Sequence, residues 1–276
     1  MTEEVEQDMT TTPIARMGGA RLDLAFEIAD LTVSFGKGAS AVTPLKDLSL
    51  EVPRGQFLCI LGPSGQGKST LLRCMAGLQE ATSGVVRAEG RDVTGPDANL
   101  GMVFQQDAIP AWLRVRDNIS FGPRMRKVPE SEWKPRVDHF ISAVGLSGRE
   151  RAWPKELSGG MRKRVAIGAV FANDPDILLM DEPFGSLDYF TKATLHSTLL
   201  DLWAETRKTI VFVTHDVDEA LKLADRIVVV TDGKVGADLK LDFERPRDDR
   251  LRMNREADQI RRNLLDVLQA PARMQS

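Results

Sequence analysis

The chain has 276 residues, of which 42% are apolar and 28% are charged. These proportions are typical of a globular protein and exclude a fibrous repeat or a long disordered polymer. Thirty-seven basic residues and forty acidic ones give a net charge of −3. This balance differs from that of a protein held on nucleic acid by bulk charge, so we expect no nucleic-acid partner.

The cysteines Cys59 and Cys74 lie within apolar segments, which is typical of reduced, buried thiols in a cytosolic protein. The longest apolar runs fall far short of the roughly 20 residues that cross a bilayer. Acidic residues occupy the N-terminal stretch, where a secretory signal would be basic. We therefore expect a soluble, intracellular protein.

Residues 1–24 are polar and without periodicity, which predicts a flexible N-terminal extension. From residue 25 to about 240, short aliphatic runs alternate with helix-length stretches. This alternation predicts an α/β domain with parallel strands at the centre of its sheet. The predicted strands are Ile28–Phe35, Leu45–Val52, Phe57–Leu61, Asn99–Gln105, Asp176–Met180, Thr209–Thr214 and Arg226–Thr231.

Two later regions depart from this alternation. Residues from about 106 to 164 lack strand-like runs, and we expect them to form a helical subdomain inserted into the α/β core. Its helix-like segments are Val115–Phe121, Ser131–Val144 and Ser158–Phe171. Residues 241–276 begin with a charged segment and end in a predicted amphipathic helix, because apolar residues recur there at helical spacing.

A glycine-rich motif of the form G-x-x-x-x-G-K-[ST] follows the predicted strand Phe57–Leu61 and precedes a helix expected near Lys68. Backbone N–H groups in such a loop, and the N-terminus of the helix, favour phosphate oxygens. Lys68 can reach the β- and γ-phosphates of a nucleotide, and the Ser69 hydroxyl can ligate Mg²⁺. The predicted phosphate-binding residues are Gly62, Pro63, Ser64, Gly65, Gln66, Gly67, Lys68, Ser69 and Thr70.

Two acidic residues, Asp181 and Glu182, follow another apolar strand. In a parallel sheet they would lie at the same edge as the phosphate loop. Asp181 could then hold Mg²⁺, and Glu182 could polarise the water that attacks the γ-phosphate.

A Leu-Ser-Gly-Gly segment precedes a basic helix further upstream. Its Ser158 is a good N-cap, and the same geometry forms an anion site. Taken alone, this segment is better explained as an ordinary capped helix start.

The order of these motifs resembles that of the ATPase subunit of an ABC transporter, over about residues 26–236. The resemblance implies a P-loop NTPase core with a mixed sheet and an inserted helical subdomain. It also implies a head-to-tail dimer in which two copies enclose two ATP molecules. The residues that carry it are the phosphate loop, Gln105, Ser158-Gly159-Gly160, Asp181-Glu182, Asp188 and His215.

The resemblance implies a role for each of these residues. Ser158, with Gly159 and Gly160, would contact the γ-phosphate bound by the partner copy, and Asp188 would lie in the loop that joins the two sites. Met161 stands where many family members have glutamine, and this departure affects only minor contacts.

Three further roles lie within one copy. Gln105 would touch Mg²⁺ and water and link the site to the helical insert, and His215 would hold the γ-phosphate and orient Glu182. Phe35 would place an aromatic ring against adenine. With Lys68, the implied catalytic residues are therefore Gln105, Glu182 and His215.

Residues 105–122 and the segment Arg245-Pro246-Arg247-Asp248 resemble importers of the nitrate, sulfonate and taurine class. That likeness implies an ATP-hydrolysing subunit bound peripherally to the cytoplasmic face of the inner membrane. Its partners would be a second copy of itself, two membrane permease subunits and, through the permease, an extracytoplasmic solute-binding protein. A groove near residues 105–121 would pass motion to the permease.

Three other classes of protein share some of these motifs. ABC ATPases that act on DNA carry coiled-coil insertions, and the ribosomal type has two ATPase halves, neither of which this chain shows. A simple P-loop kinase would leave the Leu-Ser-Gly-Gly segment and His215 without a purpose. An ABC ATPase of an export, lipid-extraction or cell-division complex remains an alternative that the catalytic motifs do not exclude.

Overall fold

The computed structural model describes residues 23–36, 38–106, 108–185, 187–247, 251 and 253–273. The strands are β1 (Leu24–Phe35), β2 (Val42–Pro53), β3 (Phe57–Leu61), β4 (Ser83–Ala88), β5 (Arg91–Asp92), β6 (Leu100–Val103), β7 (Ile177–Asp181), β8 (Thr209–Val213), β9 (Arg226–Thr231) and β10 (Lys234–Lys240). The α-helices are α1 (Lys68–Met75), α2 (Val115–Met125), α3 (Glu130–Ala143), α4 (Gly159–Ala172), α5 (Tyr189–Thr206), α6 (Val217–Leu223) and α7 (Arg255–Arg273).

A six-stranded sheet with the order β10-β9-β3-β8-β7-β6 forms the centre of the chain. The strands from β9 to β6 run parallel, and β10 pairs antiparallel with β9. β3, β7 and β8 are buried along their whole length, which explains their continuous apolar sequences. The expected mixed sheet with a parallel centre is therefore confirmed.

The side chains of the central strands alternate between two cores. Phe57, Cys59 and Leu61 of β3 pack into a core shared with helices α2 to α7, whereas Leu58 and Ile60 pack toward α1 and β1. This period of two is the geometry of any strand, and here each face meets a different layer. The phosphate loop follows β3, whose side chains enter both cores.

A second, antiparallel sheet has the order β2-β1-β4-β5. β1 begins at Leu24, which pairs with Pro53, so the predicted extension of residues 1–24 includes at least one strand residue. The remainder of that extension, apart from Asp23, lies outside the described residues. β4 and β5 were not predicted: β4 begins with the exposed pair Ser83-Gly84 and buries only Val86, and β5 consists of two exposed, charged residues.

Helices α2, α3 and α4 form a bundle between β6 and β7. They pack through buried apolar side chains such as Ile119, Val165 and the ring pair Phe140–Phe171, whose centroids are 5.8 Å apart. α4 continues past residue 164 to Ala172 and leads into β7. The predicted boundary of the helical subdomain at 164 therefore falls inside a continuous helix.

The C-terminal segment packs against α6. Arg247 is buried and donates hydrogen bonds from Nη1 to the carbonyls of Leu221 (3.0 Å) and Ala224, at the end of α6. The predicted amphipathic helix is present as α7, where Leu264 is fully buried. No helix within the described ranges is long and apolar enough to cross a membrane.

Candidate active site

The phosphate loop connects the end of β3 to the start of α1. Gly65 and Gly67 adopt positive φ angles of 80° and 89°, which favour glycine. A Cβ at Gly62 would lie 2.3 Å from the carbonyl oxygen of Val230, so the underside of the loop is tightly packed. A Cβ at Gly65 would meet no atom within 4 Å among the described residues. The loop is therefore packed from below and open to a ligand at Gly65.

Lys68 is the first residue of α1 and is only 5% exposed. Its ammonium group donates hydrogen bonds to the carbonyl oxygens of Gly62 and Pro63, both at 2.8 Å. Burial lowers its pKa, and the charges of Glu182 and Asp181 oppose that shift. The lysine is thus a cation fixed inside the loop, close to where a phosphate would bind.

Ser69 and Asp181 form a pair of oxygen ligands beside the loop. The Ser69 hydroxyl donates a 2.9 Å hydrogen bond to Oδ1 of Asp181, the last residue of β7. Burial raises the pKa of the Asp181 carboxyl, an effect that the Ser69 hydrogen bond opposes and the charge of Glu182 reinforces. One hydroxyl and one carboxylate fit the usual protein share of a Mg²⁺ site, where water and phosphate oxygens supply the other ligands.

The Glu182 cluster consists of Gln105, Glu182 and His215. Gln105 Nε2 donates to Oε2 of Glu182 at 3.3 Å, and His215 Nδ1 lies 3.2 Å from the same oxygen. Glu182 has a φ of 41°, and its backbone N–H donates to the carbonyl of Val213 at 3.0 Å. Its carboxylate is mostly covered, at 16% exposed, whereas the His215 ring is 54% exposed.

The topology explains why these residues meet. Gln105, Glu182 and His215 follow β6, β7 and β8, which are neighbouring parallel strands, and the phosphate loop follows β3, the next strand. All four connections leave the same edge of the sheet. The structure thus brings together the phosphate loop, Asp181 and the Glu182 cluster at one edge of the sheet.

Ser158 and Asp188 lie apart from this cluster. Ser158 is exposed and caps α4, its hydroxyl accepting a hydrogen bond from Met161 N at 3.3 Å. Asp188 caps α5 through backbone N–H groups of Phe190 and Thr191, both at 3.1 Å. Its hydrogen bonds, that with Thr191 foremost, lower its pKa. Among the described residues, no hydrogen bond joins Ser158 or Asp188 to the Glu182 cluster.

The glycines after Ser158 lie close to α5. A Cβ at Gly160 would come within 2.5 Å of Thr191 Cγ2, so this position has no room for a side chain, whereas Gly159 has only ordinary contacts.

Phe35 is the last residue of β1, and its side chain is exposed, with 44% of the residue accessible. The ring is therefore accessible to a ligand.

One residue of the site was missed by the sequence analysis. Lys163 of α4 is buried, and its Nζ donates to the carbonyls of Gln105 (2.6 Å) and Phe104 (3.3 Å). It joins the helix that follows Ser158 to the segment that carries Gln105. The basic run Arg162-Lys163-Arg164 was visible, but nothing in it indicates that its middle residue turns inward.

Comparisons with known proteins identify the family to which this chain is similar. A model of the ABC transporter family matches residues 45–185. An uncharacterized ABC transporter ATP-binding protein of Methanocaldococcus jannaschii is 44% identical, over 90% of this chain and 92% of its own length. A taurine import ATP-binding protein of Jannaschia sp. is 45% identical over 74% of this chain and 76% of the relative. A nitrate import ATP-binding protein of Synechocystis sp. is 41% identical, over 83% and 86%.

A solved structure is also similar to this chain. It is the dimeric, post-hydrolysis state of an ATP-binding cassette bound to ADP and Pi, with a TM-score of 0.70 and 30% identity. The likeness covers 79% of this chain and 100% of that one. The predicted ABC ATPase fold is confirmed by this match. The chain belongs to the ATP-binding, ATP-hydrolysing subunits of the ABC transporter family.

Proposed function

We propose that this subunit hydrolyses ATP between two copies of itself and thereby energises import of a small solute of the nitrate, sulfonate and taurine class. The observation that carries the catalytic part is the Glu182 cluster beside the phosphate loop. In this arrangement Glu182 is held by Gln105 and His215 and lies next to Asp181, the carboxylate that contacts Ser69.

Each side chain has a definite task in this proposal. Lys68 and the loop N–H groups bind the β- and γ-phosphates of ATP, and Phe35 stacks on adenine. Ser69 and Asp181, with Gln105, would hold Mg²⁺, which when bound neutralises charge on the phosphate oxygens. Glu182 polarises the attacking water, and His215 orients Glu182 and contacts the γ-phosphate.

The second copy completes the site in this proposal. Ser158, Gly159 and Gly160 lie at the start of α4 without a hydrogen bond to the Glu182 cluster, so they are available to the nucleotide of a partner copy. Asp188 is the N-cap of α5, the helix that lies close to Gly160. The similar cassette with ADP and Pi is a dimer, which supports this arrangement.

The transport part of the proposal depends on partners. Relatives named for taurine and nitrate import support an importer over an export, lipid-extraction or cell-division complex. Two permease subunits would dock on the helical subdomain, where Trp112, Phe121 and Met125 are 76%, 46% and 63% exposed. An extracytoplasmic solute-binding protein would deliver the solute to them. The subunit would then lie peripherally on the cytoplasmic face of the membrane.

A Glu182→Gln variant tests the catalytic assignment. The amide keeps the shape of the side chain but cannot take up a proton from water, so ATP hydrolysis should fall by about 100-fold or more. ATP binding, measured by fluorescence titration, should persist. Glu132→Gln, an exposed change in α3, is the matched control and should hydrolyse ATP normally. Undiminished hydrolysis by Glu182→Gln would contradict the assignment.

Import is tested in the source cells. A strain that lacks this chain should lose growth on taurine, an alkanesulfonate or nitrate as the sole sulfur or nitrogen source. The tagged chain, purified from detergent-solubilised membranes, should bring down a multi-span membrane protein. If the strain that lacks this chain grows normally on all three solutes, and the tagged chain still brings down a multi-span membrane protein, this import class is refuted. The alternative complexes are then favoured.

A further inference from the structure

A network of buried hydrogen bonds involves Thr214, the residue before His215, and has no role in the function proposed so far. Glu219 of α6 and His196 of α5 are 5% and 6% exposed. His196 Nε2 lies 2.7 Å from Oε1 of Glu219, and the Thr214 hydroxyl donates to Oε2 of the same carboxylate. Both oxygens of a buried carboxylate are thus satisfied by side chains from two other segments.

This arrangement holds both neighbours of His215. The Thr214 hydroxyl, which donates to Glu219, also accepts a hydrogen bond from Asp216 N at 3.1 Å. Asp216 in turn accepts one from Glu219 N at 3.2 Å. His215 lies between Thr214 and Asp216, so its backbone is fixed on each side. The His215 ring, whose Nδ1 is 3.2 Å from Oε2 of Glu182, extends from this held backbone.

Helix α5 contacts two of the three segments that carry the Glu182 cluster, those of Glu182 and His215. Lys192 and His196 are four residues apart and so lie on one face of α5. Lys192 Nζ is 3.3 Å from Oδ2 of Asp216, and the ring of His196 meets Phe184 edge to face at a centroid distance of 5.2 Å. Phe184 is fully buried and follows Glu182 by two residues.

We propose that His196 is a positioning residue that keeps His215 aligned with Glu182 and couples their alignment to α5. The inference rests on the roles proposed above for Glu182 and His215. Since Asp188 caps the start of α5, a shift of Asp188 in the dimer would reach Glu182 and His215 through Lys192 and His196. Loss of the His196 donor leaves a buried carboxylate oxygen unpaired, which favours a rearrangement of Glu219 and Thr214.

The first experiment compares three variants of the full chain in one ATPase assay, each with its melting temperature. His196→Leu should lower kcat about tenfold while KM for ATP changes less than about twofold, because the phosphate loop is untouched. His196→Gln, whose amide can donate to Glu219, should restore most of kcat. His139→Leu removes an exposed histidine that contacts Glu205 at 3.1 Å, and should leave kcat unchanged.

A merely structural role predicts a different result. In that case His196→Leu would melt at a lower temperature, yet its kcat, measured well below that temperature, would equal the wild-type value. The proposal would then be wrong. A kcat for His196→Gln as low as that of His196→Leu would also overturn it.

A second variant interrupts the same hydrogen-bond network and covers the case in which His196→Leu does not fold. Thr214→Val is nearly isosteric and removes only the hydroxyl that joins Glu219 to Asp216. It should lower kcat without raising KM for ATP, and full activity in this variant would overturn the proposal. Glu182→Gln is measured alongside: if it hydrolyses ATP normally, the proposed catalytic role of Glu182 has failed instead.

Discussion

At the scale of single residues, the site consists of charges that the fold holds in place without a ligand. Lys68 is kept inside the loop by two carbonyl oxygens, and burial lowers its pKa. Asp181, which accepts a hydrogen bond from Ser69, is also buried, and burial raises its pKa. Both groups bear the cost of desolvation before ATP binds, so the site is organised in advance for a phosphate and a cation.

Replacement of Lys68 by alanine should abolish ATP hydrolysis and weaken ATP binding strongly, because no other buried cation lies in the described loop to neutralise the β- and γ-phosphates. Binding and turnover are measured by calorimetry and phosphate release. Lys134→Ala, an exposed change in α3, is the control. Normal turnover in Lys68→Ala would remove the phosphate-loop assignment.

Replacement of Phe35 by alanine tests the adenine contact. An aromatic face stacks on any purine, so the KM for ATP and the KM for GTP should both rise in this variant, with kcat nearly unchanged. Leu78→Ala alters a side chain of similar exposure, 48% against 44%, and should have no effect. If both KM values stay at the wild-type level, Phe35 has no part in nucleotide binding.

At the scale of elements, the ends of strands and helices position the chemistry. The carboxyl ends of β3, β8, β7 and β6 deliver the phosphate loop and the Glu182 cluster to one edge. Helix α6 follows His215 directly, and the carbonyl groups at its other end are bound by Arg245 and Arg247. Cations are favourable there because the partial negative charge of a helix lies at its C-terminus.

Arg247→Met should destabilise the chain, since it leaves the carbonyls of Leu221 and Ala224 without their buried donor. The loss expected is about 2–3 kcal/mol of unfolding free energy. Burial lowers the pKa of Arg247 to about 10, so the guanidinium stays charged at neutral pH. Arg262→Met, at a side chain that is 69% exposed, should change stability by less than about 0.5 kcal/mol. Equal denaturation midpoints for the two variants would contradict this account.

At the scale of the whole molecule, one copy presents two separate surfaces. The phosphate loop and the Glu182 cluster form one, while Ser158 and Asp188 begin two helices elsewhere. A single nucleotide bound between such surfaces on two copies would act as the contact that holds the copies together. Hydrolysis would then release them.

Glu182→Gln should therefore trap the dimer, because slow cleavage keeps ATP between the copies. In size-exclusion chromatography with MgATP this variant should elute as a dimer, whereas the wild type or the ATP-free variant should elute mainly as a monomer. Adding Ser158→Arg places bulk and charge at the partner's γ-phosphate and should restore the monomer. Adding Ser131→Arg, at an exposed serine of α3, should not. A Glu182→Gln protein that binds ATP yet stays monomeric would refute the shared site.

The sequence by itself determined the parts of this protein that depend on local pattern. Continuous apolar runs identify β3, β7 and β8, because strands buried on both faces need no polar alternation. The glycine-rich loop, Asp181 and Glu182 were predicted from their place at the ends of such strands, whereas the role of His215 was implied only by the resemblance to the ABC ATPases. Their meeting at one edge follows from parallel pairing, which the alternation of strands and helices already indicated.

Only the tertiary structure decided the contacts between distant polar groups. β4 pairs with β1, a strand far from it in the sequence, and the two-residue strand β5 pairs in turn with β4. The hydrogen bonds that Lys163 and His196 make join segments far apart in the chain. A buried polar side chain is stable only where the fold supplies its partner, so its direction is set by packing and cannot be read from its neighbours in sequence.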